Sequence, residues 1–164
     1  MGRPRAQLGT KTRVLALVGH TGAGKTQLAE AMLHAGGAVR RQGRVDDGTA
    51  LLDLDPEERA RHGTAFPGVA WLPWGDATVH LVDTPGHDAA AYVTTLARAG
   101  TDADLLVVGA PDGVEGLAEA ALRRARHVDR PLIVALSKVD RASDLPGLLA
   151  RMGQLARRPV VGLQ

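Results

Sequence analysis

One loop, at residues 19–26, constrains the fold of this chain more than any other feature. It reads Gly-His-Thr-Gly-Ala-Gly-Lys-Thr, which fits the pattern G-x-x-x-x-G-K-[ST] in full. An apolar run at residues 14–18 precedes it and predicts a buried parallel strand, and the residues after it have helical spacing. A glycine-rich turn that binds nothing is the alternative. The strand–loop–helix context favours a site for nucleotide phosphates.

Each residue type in this loop has a predicted role. Glycines let backbone N–H groups turn toward phosphate oxygens. Lys25 is expected to neutralise the β- and γ-phosphates, and Thr26 to bind magnesium. The loop therefore supplies eight candidate nucleotide-binding residues: Gly19, His20, Thr21, Gly22, Ala23, Gly24, Lys25 and Thr26.

The order of the remaining segments predicts an α/β fold. Apolar runs at residues 105–108 and 132–136 alternate with amphipathic helical stripes. Residues 69–74 and 77–82 flank a Gly-Asp pair and predict a tight antiparallel hairpin. We expect a P-loop NTPase fold, in which helices cover both faces of a mostly parallel sheet with one antiparallel hairpin strand.

The domain prediction is a flexible lead-in at residues 1–11 followed by one domain at residues 12–164. A length of 164 residues with 45% hydrophobic content suits a single core. The last helix is expected to contain Leu145, Leu148, Leu149 and Met152, with Ser143 as its N-cap.

Composition excludes several classes of protein. With no cysteine there is no disulfide framework and no thiolate metal site. The apolar runs are too short for a membrane span or a signal sequence, which predicts a cytoplasmic protein without a membrane partner. A net charge of +2 gives no reason to expect direct sequence-specific binding of nucleic acid.

Two further motifs follow predicted strands. Asp83-Thr-Pro-Gly86 fits D-x-x-G, in which the carboxylate holds magnesium through water and the glycine N–H meets the γ-phosphate. An ordinary turn is the alternative reading of those four residues. Ser137-Lys138-Val139-Asp140 fits the guanine-reading pattern Asn-Lys-x-Asp, in which Asp140 accepts from the base and the Lys138 stem lies over the ring. Ser137 replaces asparagine, so we expect weaker binding without a change in specificity.

Together these motifs, with residues 43–49 and 53–58, resemble the GTP-binding domain of elongation factor G and its paralogues. The resemblance covers residues 12–164. It implies a ribosome-associated GTPase that uses GTP, GDP and Mg²⁺, with the ribosome contacted through a longer parent protein. The chain stops before the family's Ser-Ala motif, which predicts a C-terminally incomplete domain.

The resemblance also implies roles for single residues. His87 corresponds to the histidine that orients the attacking water, which makes His87 and Lys25 the candidate catalytic residues. The family's switch I threonine aligns with Ala65, so Thr64 is the candidate magnesium ligand there, together with Thr26 and Asp83. Gly22 stands where many relatives have an aspartate.

We therefore predict a guanine-nucleotide-binding domain with slow intrinsic GTP hydrolysis that the ribosome stimulates. The first alternative is a degenerate paralogue that binds guanine nucleotide without hydrolysing it. The second alternative is an ATP-using kinase or ATPase. Asp140 disfavours it, because adenine presents an acceptor at N1 and the Asp140 carboxylate needs a hydrogen-bond donor there.

Overall fold

The structure, a computed structural model, describes residues 11–52, 66–87, 91–114, 116–124 and 131–156. The predictions for residues 1–10, for residues 53–58, for Thr64 and Ala65 and for residues 157–164 fall outside these ranges.

A five-stranded sheet forms the centre of the described fold, with the order β2-β3-β1-β4-β5. Strand β1 is parallel to both β3 and β4, β4 is parallel to β5, and β2 is antiparallel to β3. The predicted mostly parallel sheet with one antiparallel hairpin strand is therefore confirmed. The strands are β1 Lys11–Val18, β2 Gly68–Trp74, β3 Ala77–Asp83, β4 Ala103–Gly109 and β5 Leu132–Ser137.

Helices follow the strands as the sequence predicts. In chain order they are α1 Lys25–Ala35, α2 Ala91–Ala99, α3 Gly116–Arg124 and α4 Leu145–Ala156, with a 3-10 turn at Val139–Arg141. No helix in the described ranges is long and apolar enough to cross a bilayer.

Two apolar clusters lie on opposite faces of the sheet, because successive residues of a strand point to opposite sides. Ala16 joins the cluster that includes Leu122 of α3 and Met152 of α4. Leu17 joins the other cluster, with Ala29 and Leu33 of α1. The predicted covering of both faces by helices is confirmed, and it fixes the direction in which α1 leaves the loop at residues 19–24.

Two local predictions need correction. Lys11, assigned to the lead-in, already belongs to β1 and pairs with Ala77 of β3. Ser143 does not cap the last helix, because α4 begins at Leu145 and the preceding residue is Asp144. The Asp144 Oδ1 atom accepts the N–H of Gly147 at 3.0 Å, which is the geometry of an N-cap.

Candidate functional site

The candidate site lies where the parallel strands end. Strands β1, β3, β4 and β5 run in the same direction, so their carboxyl ends meet at one edge of the sheet. The loop at residues 19–24 leaves β1 there, Asp83 is the last residue of β3, and Ser137 is the last residue of β5. Three motifs that are far apart in the sequence thus converge, as the general rule for ligand sites in such sheets predicts.

Glycines give the loop its path. Gly22 has φ +77° and Gly24 has φ +88°, backbone conformations that residues with a Cβ atom rarely adopt. A Cβ atom on Gly19 would collide with the backbone oxygen of Val107 in β4. The loop therefore turns tightly against the sheet, and its backbone determines the direction of its N–H groups.

The start of α1 faces the same space. Gly24 is its N-cap residue, and no side chain in the described ranges caps this end. The first turn of α1 has no acidic residue either. An uncapped helix start leaves N–H groups and the positive end of the helix dipole available to an anion.

Lys25 is buried at this helix start, with 5% of its surface exposed. Its Nζ atom donates to the backbone oxygens of Gly19 at 3.1 Å and His20 at 3.0 Å. Burial lowers the pKa of the Lys25 ammonium, and the charge of nearby Asp83 opposes part of that shift. A cation is thus held inside the loop by carbonyl dipoles.

Thr26 and Asp83 are joined directly. The Thr26 Oγ1 atom donates to Asp83 Oδ2 at 2.6 Å, and Asp83 is fully buried. Both groups are oxygen ligands of the kind that magnesium prefers. The structure therefore brings together two of the three residues that the sequence predicts to bind metal.

Gly86 packs against the loop. Its backbone oxygen accepts the N–H of Thr21 at 3.1 Å. An added Cβ would lie 2.5 Å from Lys25 Nζ and 2.6 Å from the Thr21 nitrogen. Only glycine allows the D-x-x-G segment to approach the loop this closely.

The third motif reaches the loop from β5. The Ser137 Oγ atom donates to the backbone oxygen of Ala23 at 2.6 Å, which ties the end of β5 to the loop. Lys138 has φ +54°, and among the described residues it is the only non-glycine residue with positive φ. This strained conformation is an additional sign of function that no sequence pattern indicated. Asp140 lies in the 3-10 turn with its side chain 78% exposed.

A cavity of about 750 Å³ connects the motifs. The loop and the start of α1 line one part of it, and the last motif lines another. A ligand could thus meet the residues predicted to bind phosphate and those predicted to read the base in one continuous space. The predicted site residues that line the cavity are Thr21, Gly22, Gly24, Lys25, Thr26, Gly86, Ser137, Lys138 and Asp140.

Other predicted residues lie elsewhere. His87 is exposed and lines, with Gly19, a separate cavity of about 240 Å³ beside α2 and α3. His20 and Ala23 line a groove beside Asp112. Asp83 contacts the main cavity's lining through Thr26, and Thr64 is outside the described residues. The structure therefore separates His87 from the space that the other motifs share.

Two polar residues of α1 were missed by the sequence analysis. Glu30 is 1% exposed, and its carboxylate accepts backbone N–H groups of the segment after α1. Gln27 also bonds to that segment. A signal existed for Glu30, because Thr26, Ala29, Glu30 and Leu33 form the buried stripe of α1, and a carboxylate in such a stripe needs partners.

Comparisons with known proteins agree with this geometry. Residues 10–157 match the family described as "Elongation factor Tu GTP binding domain". Elongation factor G 2 of Streptomyces coelicolor is 37% identical over 143 residues, which are 86% of this chain. The mitochondrial ribosome-releasing factor 2 of Candida dubliniensis is 33% identical over 132 residues, or 80% of this chain.

A solved structure is similar as well. The crystal structure of a protein from Thermus thermophilus matches 89% of this chain with a TM-score of 0.81 and 37% identity. This chain spans 22% of that protein, 21% of the Streptomyces factor and 16% of the Candida factor. The similarity therefore concerns one portion of much longer proteins.

Proposed function

Since this chain belongs to the family of elongation factor Tu GTP-binding domains and is a GTP-binding domain of the elongation factor G type, we propose that it hydrolyses GTP to GDP and phosphate. Magnesium assists the reaction, and the ribosome stimulates it. The ribosome is contacted through a longer parent protein, and the site of action is the cytoplasm.

A single observation carries the proposal. One cavity of about 750 Å³ is lined both by the phosphate-binding loop and by Ser137, Lys138 and Asp140. Its size lies in the range of small-molecule sites. A guanine nucleotide needs an anion site and a base site within reach of each other, and this cavity offers both.

Phosphates would lie at the loop. Lys25 supplies a positive charge there, and the uncapped start of α1 supplies N–H donors. The Gly86 N–H would meet the γ-phosphate. Because these donors are already oriented, they stabilise charge that develops on the phosphates during transfer.

Magnesium would be held by Thr26, Asp83 and Thr64. In the described part of the chain, no group of three or more His, Cys, Asp or Glu side chains could bind a metal ion. That fits Mg²⁺, which takes few protein ligands and fills its octahedral shell with water and phosphate oxygens. When bound, the metal supplies charge that neutralises the phosphate oxygens.

The base would lie near Asp140 and Lys138. An Asp140 carboxylate accepts from the two adjacent donors of guanine, and it finds no such pair on adenine. Ser137 acts on the loop by its bond to the Ala23 oxygen, so it would support the base site by fixing the position of β5 relative to the loop.

Hydrolysis would depend on His87. This side chain lines the cavity beside α2 and α3, so it would have to move before it could orient a water molecule at the γ-phosphate. An external activator that moves His87 explains why the intrinsic rate is expected to be slow. Positioning and electrostatics, without a covalent intermediate, would supply the catalysis.

Single-turnover hydrolysis of GTP, measured with and without ribosomes on the full-length parent, tests the proposal. We expect slow hydrolysis by the protein alone and a large acceleration by ribosomes. Competition of ATP with labelled GDP tests base specificity, and we expect no displacement by ATP at concentrations at which GTP displaces the label. Displacement by both nucleotides would contradict the role of Asp140.

A second function has one observation in its favour. His87 lines a different cavity from the one proposed to hold the nucleotide. The domain could therefore bind GDP and GTP as a conformational signal without hydrolysing GTP. The same experiment separates the two functions, since the binding module would show no hydrolysis under either condition.

A further inference from the structure

Residues 42–52, here called the strap, contribute part of one wall of the cavity of about 750 Å³, here called the nucleotide cavity. Gln42, Val45 and Asp46 of the strap line the cavity together with the phosphate-binding loop. The strap contains turns and bends but no helix or strand. Its position therefore depends on contacts with other elements.

Glu30 of α1 holds both ends of the strap. Its Oε2 atom accepts the N–H of Gly43 at 3.2 Å. Its Oε1 atom accepts the N–H of Leu51 at 2.6 Å and of Leu52 at 3.3 Å. Bonds to a carboxylate are stronger than those between neutral groups, and this carboxylate is 1% exposed. One side chain thus closes the strap into a loop with a fixed base.

Gln27 adds two bonds at the end nearer the cavity. Its Nε2 atom donates to the Gly43 oxygen at 3.2 Å, and its Oε1 atom accepts the N–H of Val45 at 3.3 Å. The strap can lie this close to Glu30 only with glycine at position 43. An added Cβ there would lie 2.5 Å from Glu30 Oε2 and 2.6 Å from the Thr49 backbone oxygen.

The same helix carries the phosphate-binding side chains. Lys25 and Thr26 form the start of α1, and Glu30 lies one turn after Thr26 on its buried stripe. A rigid helical turn therefore connects the phosphate site to the base of the strap. Leu52, the last residue of the strap, also packs beside Gly68 of β2, where an added Cβ would lie 3.2 Å from the Leu52 oxygen.

We propose that Glu30, assisted by Gln27, is a positioning residue that holds the strap against the nucleotide cavity and so slows nucleotide release. The inference rests on the proposed nucleotide site and extends it to Glu30, which does not line the cavity, whereas Gln27 does. A segment without regular structure has many conformations, and fixing its two ends to one carboxylate removes most of them. The wall then stays in place while the nucleotide is bound.

The test is the dissociation rate of fluorescently labelled GDP, chased with excess GDP and Mg²⁺, in wild type and in Glu30→Gln. The variant keeps the shape of the side chain but turns one acceptor oxygen into an NH₂ donor. If the remaining oxygen serves Leu51 and Leu52, the Gly43 N–H loses its acceptor. We expect dissociation to be faster by about ten-fold, the effect of one lost bond to a charged group, with a smaller change in association.

Glu119→Gln is the matched control. Glu119 lies on α3, pairs with Arg123, and does not line the nucleotide cavity. The chemical change is the same, so its dissociation rate should equal that of wild type. Gln27→Ala, which removes the two bonds at the Gly43 end, should give a smaller acceleration than Glu30→Gln. If Glu30→Gln does not fold, Gln27→Ala carries the test only together with faster amide exchange at Gly43, because Gln27 also lines the cavity.

Amide hydrogen exchange at Gly43, Leu51 and Leu52 separates positioning from a purely structural role. We expect faster exchange in Glu30→Gln together with faster release. Faster exchange with an unchanged dissociation rate, in both variants, would overturn the inference and leave the nucleotide site intact. A wild-type protein that does not bind labelled GDP would overturn the proposed site and this inference with it.

Discussion

Thr26 Oγ1 donates a hydrogen bond of 2.6 Å to Asp83 Oδ2 and thereby joins the first turn of α1 to the end of β3. A hydroxyl that donates its proton still has lone pairs that can bind a cation. The bond is therefore compatible with a metal ligand role for both residues, and it fixes them beside the buried ammonium of Lys25. Two motifs that are far apart in the sequence form one polar centre.

Gly86→Ala should weaken GTP binding. The added Cβ would lie 2.5 Å from Lys25 Nζ, so either the turn after β3 or the lysine must move. Overpacking of this kind costs about 1–3 kcal/mol, which predicts a loss of affinity of about ten-fold or more. Calorimetric titration measures it. Gly153→Ala, where an added Cβ meets nothing within 4 Å, is the control and should bind as wild type does.

Asp140→Asn should exchange one nucleotide preference for another. The new NH₂ group is a donor and would face a donor of guanine, so one hydrogen bond is lost. Xanthine has a carbonyl in place of the exocyclic amine, and that carbonyl can accept from the NH₂ group. We expect affinity for GDP to fall by about ten-fold or more and affinity for xanthosine diphosphate to rise. Competition binding measures both affinities.

The control for this exchange is Asp144→Asn, which makes the same chemical change at an exposed residue nearby and keeps a good N-cap. It should leave both affinities unchanged. An equal loss for both nucleotides in folded Asp140→Asn would mean that Asp140 does not contact the base.

Removal of the Lys25 ammonium should change how stability depends on pH. Burial lowers the pKa of Lys25 in the folded protein, while the unfolded chain keeps the ordinary value. Between these two values the unfolded state binds more protons, so the free energy of unfolding rises with pH. Lys25→Met lacks this contribution. Wild type should therefore gain stability relative to Lys25→Met as the pH rises toward the ordinary lysine pKa of about 10.

Urea unfolding without nucleotide measures this difference. Lys11→Met, which removes only an exposed ion pair with Asp76, is the control, and its stability should stay within about 1 kcal/mol of wild type. A stability difference between wild type and Lys25→Met that does not change with pH would show that the pKa of Lys25 is the same in the folded and unfolded protein. Lys25→Met should also lose GDP binding, because the phosphates lose their positive partner.

His87→Ala should leave GDP affinity unchanged and reduce ribosome-stimulated hydrolysis. His87 lines the cavity beside α2 and α3, so its removal takes no contact from the nucleotide cavity. The loss of a water-orienting group costs about 10²–10⁴-fold in rate. Single-turnover hydrolysis on ribosomes measures it, with His34→Ala, at an exposed residue of α1, as the control. Undiminished hydrolysis would remove His87 from the mechanism.

Much of the fold could be predicted because its signals are local. The loop at residues 19–26 combines glycines with a preceding apolar run, and together they specify strand, turn and helix within one short segment. The hairpin is equally local, since Gly75, with φ +59°, lies between two strand-like runs. The start of the last helix was misassigned by one residue, because Ser143 and Asp144 are both good N-caps and only the backbone decides between them.

What the sequence determined by itself is therefore the order of strands and helices and the positions of the three motifs that are predicted to bind nucleotide, each written in neighbouring residues. The tertiary structure alone decided which distant groups meet. Ser137 bonds to the Ala23 oxygen, Glu30 holds the two ends of the strap, and His87 lines a cavity apart from the other motifs. Such contacts depend on how α1 and β5 pack on the sheet, and packing sums many weak interactions from the whole chain that no local pattern encodes.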